Sequence, residues 1–140
     1  MLTTTIIGGG HAGRIDTVVS RDGTEIAYQT IGKGPDVLIV PGALAMADDF
    51  DAFARALAQR FTVVTIERRG RGQSGPQGDD YSINSECDDV AAVQAATGAK
   101  LLFGHSFGGF IALEAARVRE ARRIADGGKG RRRDRRRPGR

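Results

Sequence analysis

The sequence predicts an α/β fold with a doubly wound, mostly parallel sheet that begins with an antiparallel N-terminal hairpin. Short β-branched runs alternate with segments whose apolar residues recur at helical spacing, which is typical of a sheet covered by helices on both faces. An Asp-Gly pair separates the first two runs and favours a tight hairpin turn. A serine between two glycines, at residues 104–108, joins an apolar run to a helical pattern, as in a sharp strand-to-helix turn.

Five runs predict the strands of this sheet. The first two, at residues 16–20 and 25–31, are rich in β-branched side chains and are expected to pair as the hairpin. Three further apolar runs, at residues 37–40, 61–66 and 101–103, are short and continuous. Continuous apolar character indicates strands that are covered on both faces, as in the middle of a parallel sheet.

Three segments have apolar residues at helical spacing and predict the helices. The first runs to about Arg60 and is expected to begin at a cap supplied by Asp48 or Asp49. The second covers residues 84–97 and is followed by a glycine that suits a helix end. The third covers residues 106–118 and is expected to be mostly buried.

The composition limits the class of protein. With 140 residues, of which 40% are hydrophobic, the chain is expected to form one modest domain at residues 16–120, between a flexible leader (1–15) and a tail (121–140). No apolar run is long enough to cross a bilayer and no secretion signal is recognisable, so a cytoplasmic location is expected. One cysteine and two histidines exclude an internal disulfide and disfavour a metal site, and neither metal nor cofactor is expected.

The formal net charge of +4 conceals two oppositely charged regions. Residues 1–120 carry 15 acidic and 11 basic side chains, whereas residues 121–140 carry 2 acidic and 10 basic ones. Such a basic segment can neutralise nucleic-acid phosphates in a salt-dependent, sequence-independent way. It contains no aromatic residue on which a base could stack, and too few apolar residues to bury a core. We therefore expect the tail to be disordered.

A frameshift is a second interpretation of the tail. The composition changes abruptly near Glu120, and a run of Arg, Gly, Ala, Asp and Pro is what a G+C-rich coding sequence yields in the wrong frame. The hypothesis is that the chain is truncated or frameshifted at this point. The nucleotide sequence around codon 120 tests it, since alternative frames that encode no continuing strand-helix pattern would refute it.

Four features follow one another in a fixed order along the chain. They are the leading hairpin, a strand that ends in Val-Pro-Gly-Ala at residues 40–43, the loop Glu-Arg-Arg-Gly-Arg-Gly-Gln-Ser at residues 67–74, and Gly-His-Ser-Phe-Gly-Gly at residues 104–109. Together they resemble the N-terminal half of the α/β-hydrolase fold family, over about residues 16–120. A lone G-x-S-x-G pattern is weakly specific, whereas the four features at these intervals are strongly specific for the fold.

The resemblance implies a serine hydrolase that acts on small ester or related acyl substrates. Ser106 would be the nucleophile that forms a covalent intermediate. The backbone N–H groups of Phe107 and Ala43 would form the oxyanion hole, although Pro-Gly stands before Ala43 where the family usually has His-Gly. Gly104 and Gly108 would be the elbow glycines, and Gly108 and Gly109 would let the helix approach the strand closely.

The resemblance leaves the catalytic acid and base unassigned. In this family both follow the serine, but no histidine occurs after Ser106, so the chain is expected to hydrolyse esters weakly or not at all. A non-catalytic fragment and a basic-tailed nucleic-acid-binding protein remain as alternatives. For the hydrolase, the expected partner is a small acyl compound, with neither membrane nor nucleic acid. The strand before Ser106 is expected to leave an open sheet edge through which copies could associate.

Other candidate residues have simpler interpretations. Residues 8–13 match the dinucleotide pattern G-x-G-x-x-G, but the β-branched run that follows leaves no room for the helix that would receive a pyrophosphate. His105 is adjacent to the serine, yet neighbouring side chains diverge on such a turn, so we expect it to pack rather than act as a base. Cys87 is expected to be a small buried side chain, and Glu67 to brace its loop.

Overall fold

The computed structural model describes residues 13–131, in which five strands form one mixed sheet. The order of the strands across the sheet is β1-β2-β4-β3-β5. Helices pack on both faces of this sheet, which confirms the predicted α/β fold class. Each strand overlaps the run that predicts it. The strands are β1 (Arg14–Val19), β2 (Glu25–Gly32), β3 (Asp36–Val40), β4 (Thr62–Ile66) and β5 (Leu101–Gly104).

The hairpin and the parallel strands form two parts of the sheet. β1 pairs with β2 in antiparallel orientation, with Asp16 opposite Tyr28, and β2 pairs antiparallel with β4. β3 lies between β4 and β5 and runs parallel to both, with Val40 opposite Gly104. The carboxyl ends of β3, β4 and β5 therefore lie at one edge of the sheet, where ligands bind in open α/β sheets.

Within residues 13–131, three α-helices cover the sheet: α1 (Asp51–Leu57), α2 (Ile83–Thr97) and α3 (Phe107–Arg131). The ends of α2 agree with the predicted helix. The Ser82 side chain accepts a backbone N–H from the first turn, and Gly98 ends the helix with a left-handed φ of +80°. Both are common helix caps, and both could be predicted from the residue type.

The central strands supply a hydrophobic layer on each face, because successive side chains of a strand point to opposite sides. Val37 and Ile39 of β3 pack on the α1 side of the sheet. Leu38 and Val40 of the same strand pack on the side of α2 and α3, with Ile111 of α3 among their neighbours. The alternation along β3 thus accounts for the continuous apolar run, since neither face of this strand is open to water.

The start of α1 differs from the prediction, because neither Asp48 nor Asp49 is its N-cap. A single 3-10 turn, Ala47–Phe50, precedes the helix, and Phe50 occupies the N-cap position without a side-chain hydrogen bond. Asp49 instead accepts the N–H of Met46 at 2.8 Å. The carboxylate therefore stabilises the entry to the 3-10 turn rather than the first turn of the α-helix.

α3 is longer than predicted. The helix continues through Arg131, whereas the sequence predicts an end near Val118 and disorder over residues 121–140. The side chains of residues 121–127 are all exposed, so this part of the extension adds no core. Arg123 pairs with Glu120 at 2.7 Å across one turn. The alanine and arginine residues at 121–125 favour helix intrinsically, and the Glu120–Arg123 pair adds to this preference, so a helix without an apolar face is expected over these residues.

Residues 1–12 and 132–140 lie outside the described residues, and with them His11, most of the glycine-rich motif and the end of the tail. The division into leader, domain and tail stays a prediction. Strand β1 starts directly after the glycine-rich motif, where a dinucleotide site would need a helix. Within residues 13–131, no helix is both long and apolar enough to span a membrane.

Candidate active site

Three loops meet at the carboxyl edge of the parallel strands. They are the loop after β3 (residues 41–46), the loop after β4 (residues 67–75) and the turn after β5 (residues 105–106). The first and third of these border a cavity of about 630 Å³. Its lining consists of Gly42, Ala43, Leu44, Ala45, Asp49, Phe50, His105 and Ser106.

Ser106 lies on a strained turn between β5 and α3. Its φ is +54°, and among the described residues no other residue except glycine has a positive φ. Such backbone angles cost a residue with a side chain about 1–3 kcal/mol, so the surrounding contacts must maintain them. The carbonyl oxygen of His105 accepts the N–H of Gly108 at 2.9 Å, and that of Ser106 accepts the N–H groups of Gly109 at 2.9 Å and Phe110 at 3.4 Å. The turn leaves Ser106 exposed at the start of α3.

The predicted elbow glycines, Gly104 and Gly108, lie where a side chain does not fit. A Cβ at Gly104 would lie 2.5 Å from the Cα of Gly109, and a Cβ at Gly108 would lie 2.5 Å from the carbonyl oxygen of Pro41. Both clashes involve backbone atoms, which no change of rotamer can move. The two glycines let α3 begin directly against the ends of β3 and β5, and this close approach sets the position of the serine.

Two backbone amides near the serine, those of Ala43 and Phe107, donate no hydrogen bond to any described residue. Gly42 brings the loop after β3 against the elbow, since a Cβ at this glycine would lie 3.3 Å from the Cβ of Ser106 and 3.1 Å from the carbonyl oxygen of His105. Ala43 is the next residue along the chain, so its N–H lies close to the elbow. Phe107 is the first residue of α3, where the N–H has no acceptor within the helix. Both amides are therefore available to a ligand oxygen.

Arginine side chains from the loop after β4 bind the loop after β3. Arg68 and Arg71 each donate from Nη1 to the carbonyl oxygen of Gly42, in both cases at 2.9 Å. Arg71 also donates to the carbonyl oxygens of Ala43 and, at 3.2 Å, of Ala45. The carbonyl groups of this loop consequently face the arginines.

Buried carboxylates of α2 hold two of the arginines of the loop after β4. Glu86 accepts from Arg68 at 2.6 and 3.2 Å, and Asp89 accepts two bonds from Arg69 at 2.7 Å. None of these four side chains is more than 4% exposed, and the paired hydrogen bonds compensate for the loss of water. Asp22 in the hairpin turn also accepts from Arg69, and this bond holds the pKa of the Asp22 carboxyl well below its usual range.

The family of the chain follows from a comparison with protein-family models. The model described as the alpha/beta hydrolase family matches residues 37–139, which is more than half of the chain. The chain belongs to the alpha/beta hydrolase family. The resemblance predicted from the sequence is thereby confirmed, and the strained turn at Ser106 is the place where this family carries its G-x-S-x-G motif.

Relatives of this family member include hydrolases and an esterase. It is 38% identical over 96 residues to the uncharacterized hydrolase YraK of Bacillus subtilis, an alignment that covers 66% of this chain and 35% of that protein. An alpha/beta hydrolase from Sphaerobacter thermophilus is similar in structure, with a TM-score of 0.67 and 44% identity, over 71% of this chain and 39% of the other. For the esterase RhEst1 from Rhodococcus sp. ECU1013 the TM-score is 0.63 and the identity 31%, over 69% and 38%. The chain spans less than half the length of each.

The contacts of three other candidate residues, Glu67, His105 and Cys87, indicate structural roles. Glu67 is buried and accepts the N–H of Gln73 at 2.6 Å, so it braces its own loop. The His105 ring makes an edge contact with Phe50, with ring centroids 5.7 Å apart, and no described side chain hydrogen-bonds the hydroxyl of the serine. Cys87 is buried, and burial raises the pKa of its thiol to about 11, which disfavours the nucleophilic thiolate.

Sequence reasoning missed the arginines that contact the loop after β3. Arg68 and Arg71 stand in a segment that the family pattern identifies, but the pattern does not reveal which atoms they bind. A partial signal was present in α2, where Glu86 and Asp89 occur three residues apart and so share one helix face. Two acidic residues on a helix face that packs against a sheet need cationic partners, and the arginine-rich loop supplies them.

Proposed function

We propose that this chain is a serine hydrolase that acts on small ester or related acyl substrates through Ser106. The observation that carries the proposal is the left-handed backbone of Ser106, with a φ of +54°, which presents an exposed serine beside two amides that have no acceptor among the described residues. Membership of the family supports the same function, since relatives include proteins named as a hydrolase and an esterase.

The proposed reaction is acyl transfer to the serine, followed by hydrolysis. The Oγ of Ser106 attacks the carbonyl carbon of the ester, its proton passes to a base, and the carbonyl oxygen becomes an oxyanion. The N–H groups of Ala43 and Phe107 donate hydrogen bonds to this oxyanion. Collapse of the tetrahedral intermediate expels the alcohol, and water then cleaves the acyl-serine to release a carboxylic acid.

The base of this reaction is not assigned to any described residue. A histidine is the usual base for a serine nucleophile, and the 140 residues contain two histidines, His11 and His105. His11 lies outside the described residues, and His105 packs against Phe50. Removal of triad members costs an enzyme several orders of magnitude in rate. We therefore expect slow hydrolysis by this chain, with water accepting the proton of the hydroxyl.

The lining of the cavity favours a small, uncharged acyl group. Ala43, Leu44 and Phe50 contribute apolar surface beside the serine. The Leu44 side chain is fully exposed, so a bound acyl chain would remove its surface from water. The Asp49 carboxylate at the border is already engaged with the Met46 N–H. A hydrophobic acyl chain is thus a better match for these walls than a charged one.

Hydrolysis of a chromogenic acetyl ester tests this function. We expect the intact chain to exceed the rate of buffer alone, and Ser106→Ala to return to that rate, because the attacking oxygen is gone. Ser85→Ala is a matched control, since it removes a hydroxyl from the first turn of α2. Equal rates for the parent and Ser106→Ala, with both chains folded by circular dichroism, would remove catalysis from the proposal.

We also propose that two copies of the chain associate through β5. Among the described strands β5 pairs with β3 alone, so one of its edges presents unpaired N–H and C=O groups. The strand is uncharged, and its Leu101 and Phe103 side chains are 51% and 38% exposed. The other edge strand, β1, carries an Arg14–Asp16 ion pair, and charges of this kind discourage strand addition. Antiparallel pairing of β5 with its copy would cover the uncharged edge.

Sedimentation of the purified chain tests this association. We expect a dimer at micromolar concentration, and a monomer for Leu101→Lys, because a lysine on the edge opposes pairing of two copies. Val19→Lys, on the exposed side of β1, is the control and should leave the dimer intact. A parent chain that sediments as a stable monomer would refute the proposal.

A further inference from the structure

The carbonyl oxygen of Gly42 is the acceptor for two cationic side chains at once. Nη1 of Arg68 and Nη1 of Arg71 both lie 2.9 Å from it. The N–H of Ala45 also reaches this oxygen, at the longer distance of 3.4 Å, so the two guanidinium groups are its closest hydrogen-bond donors. The orientation of this peptide group is therefore determined from the side of the loop after β4.

The same peptide group carries the N–H of Ala43. The described residues contain no cis peptide bond, and in a trans peptide the N–H and the C=O point in opposite directions. The arginines on the carbonyl of Gly42 thus turn the N–H of Ala43 away from themselves. Gly42 and Ala43 line the cavity together with Ser106, and the N–H of Ala43 has no acceptor among the described residues.

Arg71 differs from Arg68 in its partners. Arg68 is buried and pairs with Glu86 at 2.6 Å. Arg71 forms no ion pair with a described residue, and its hydrogen bonds go to three backbone carbonyls of the loop after β3. Burial and the neighbouring Arg68 both lower the pKa of Arg71. The guanidinium of Arg71 therefore acts on backbone dipoles beside the site instead of neutralising a carboxylate.

We propose that Arg71, supported by Arg68, is a positioning residue that orients and polarises the Gly42–Ala43 peptide, so that its N–H serves as the second oxyanion donor. This inference rests on the proposed function of Ser106. Hydrogen bonds in a chain strengthen one another, by about 10–30% per bond in condensed-phase estimates. A guanidinium on the C=O thus makes the N–H of the same peptide a stronger donor. Oriented donors of this kind act where negative charge develops in the transition state.

The arginines also explain how the loop is ordered without the side chain that the family usually places before this glycine. Pro41 stands at that position, and its side chain has no hydrogen-bonding group. The guanidinium of Arg71 spans several carbonyls of the same loop, which a lysine cannot do in one geometry. Order that normally comes from within the loop after β3 here comes from the loop after β4.

Nuclear magnetic resonance of the Arg71→Gln and Arg71→Lys variants tests the positioning role directly. Loss of a donor to the carbonyl of Gly42 reduces polarisation of the peptide, so we expect the ¹⁵N resonance of Ala43 to shift upfield in Arg71→Gln. The N–H of Ala45, which is bonded to the same carbonyl at 3.4 Å, should exchange with solvent faster. Arg71→Lys should be intermediate, since it keeps the charge but not the planar set of donors.

A matched control separates this effect from a general change of charge. Arg55→Gln removes a guanidinium from the exposed surface of α1 and should leave the Ala43 and Ala45 signals unchanged. Arg68 is unsuitable as the first variant, because its removal also leaves Glu86 buried without a counter-ion. Unchanged Ala43 and Ala45 signals in a folded Arg71→Gln chain would overturn the inference.

Kinetics of ester hydrolysis distinguish failure of this inference from failure of the proposed function. We expect Arg71→Gln to lower the Ser106-dependent kcat about tenfold with KM nearly unchanged, because an oxyanion donor acts mainly in the transition state. If the parent shows no Ser106-dependent hydrolysis, the proposed function fails and the resonance shifts still decide whether Arg71 orders the loop. Normal kinetics in a variant with shifted resonances would overturn the catalytic part of the inference.

Discussion

The elbow, residues 104–109, and the arginine loop, residues 67–75, position the same site by opposite means. In the elbow the position is set by missing side chains, since a Cβ at Gly104 or Gly108 would clash with backbone. In the arginine loop it is set by charged side chains whose partners lie far along the chain, as with Arg68 and Gly42, which are 26 residues apart. The elbow should therefore be sensitive to added atoms, and the arginine loop to the removal of charges.

The buried ion pairs of the arginine loop supply geometry more than stability. Desolvation offsets much of the attraction between two buried charges, so apolar residues of the same size are often as stable. A planar guanidinium in a two-bond contact with a carboxylate nevertheless has a fixed direction. Through Arg68–Glu86 and Arg69–Asp89, helix α2 holds the arginine loop in one orientation, and Arg68 transmits that orientation to the loop after β3.

Removal of a buried carboxylate is expected to have the largest effect. Glu86→Ala leaves the guanidinium of Arg68 buried without its counter-ion, and should lower the free energy of unfolding by about 3–5 kcal/mol. Urea denaturation followed by circular dichroism measures this change. Asp51→Ala, which removes the exposed partner of Arg55, is the control and should have little effect. A similar small effect for both variants would remove the distinction between buried and exposed pairs.

A methyl group added to the elbow should have the next largest effect. Gly108→Ala places a Cβ against the carbonyl oxygens of Val40 and Pro41, and such overpacking costs about 1–3 kcal/mol. Because α3 must then move away from the strands, Ser106-dependent hydrolysis should also disappear.

Gly127→Ala is the control for the elbow. Gly127 lies in α3 with no atom near the position of a Cβ, so alanine should stabilise the helix by about 0.5–1 kcal/mol. Thermal unfolding of the two variants should therefore shift in opposite directions from the parent. A Gly108→Ala chain as stable as Gly127→Ala would show that the elbow tolerates added atoms.

Asp22→Asn should have the smallest effect on stability, because the Asp22 side chain is 48% exposed. This effect should depend on pH. The hydrogen bond from Arg69 lowers the pKa of Asp22 in the folded state, below the unfolded-state value of about 4. A carboxyl of this kind contributes stability above that value and loses the contribution as the pH falls below it. The urea midpoint of the parent should therefore fall more steeply from about pH 5 to pH 3 than that of Asp22→Asn. Parallel pH profiles for the parent and Asp22→Asn would show that the bond between Asp22 and Arg69 makes no pH-dependent contribution to stability.

The sequence predicted the parts of the structure that depend on local chemistry. The elbow could be predicted because glycines on both sides of Ser106, between a strand and a helix, determine that turn within a few residues. The ends of α2 were predictable for the same reason, since Ser82 and Gly98 act on the adjacent backbone. The runs of β3 and β4 were visible because burial on both faces demands continuous apolar residues. The same expectation was wrong for β5, in which Leu101 and Phe103 are exposed because the strand pairs on one side only with a described strand.

The sequence did not predict the features that depend on distant contacts or on a balance of weak terms. The three carbonyls that Arg71 binds belong to a loop far along the chain, and no local pattern connects them. The cap at α1 was wrong because Asp49 reaches back to Met46 and stabilises a 3-10 turn first. The end of α3 was misplaced because exposed helix is decided by small propensities and ion pairs, such as Arg123–Glu120, rather than by an apolar face.

Reaction with p-nitrophenyl acetate shows directly which side chain of the protein takes up the acyl group. Deacylation needs a base as much as acylation does, so an acyl-serine formed by this chain should persist long enough for peptide mass spectrometry. We predict an acetyl group on Ser106 that is absent from Ser106→Ala, with far less on Ser82, which is also exposed. Equal acetylation of Ser82 and Ser106, or none at Ser106, would contradict the claim that the elbow presents a nucleophile to two oxyanion donors.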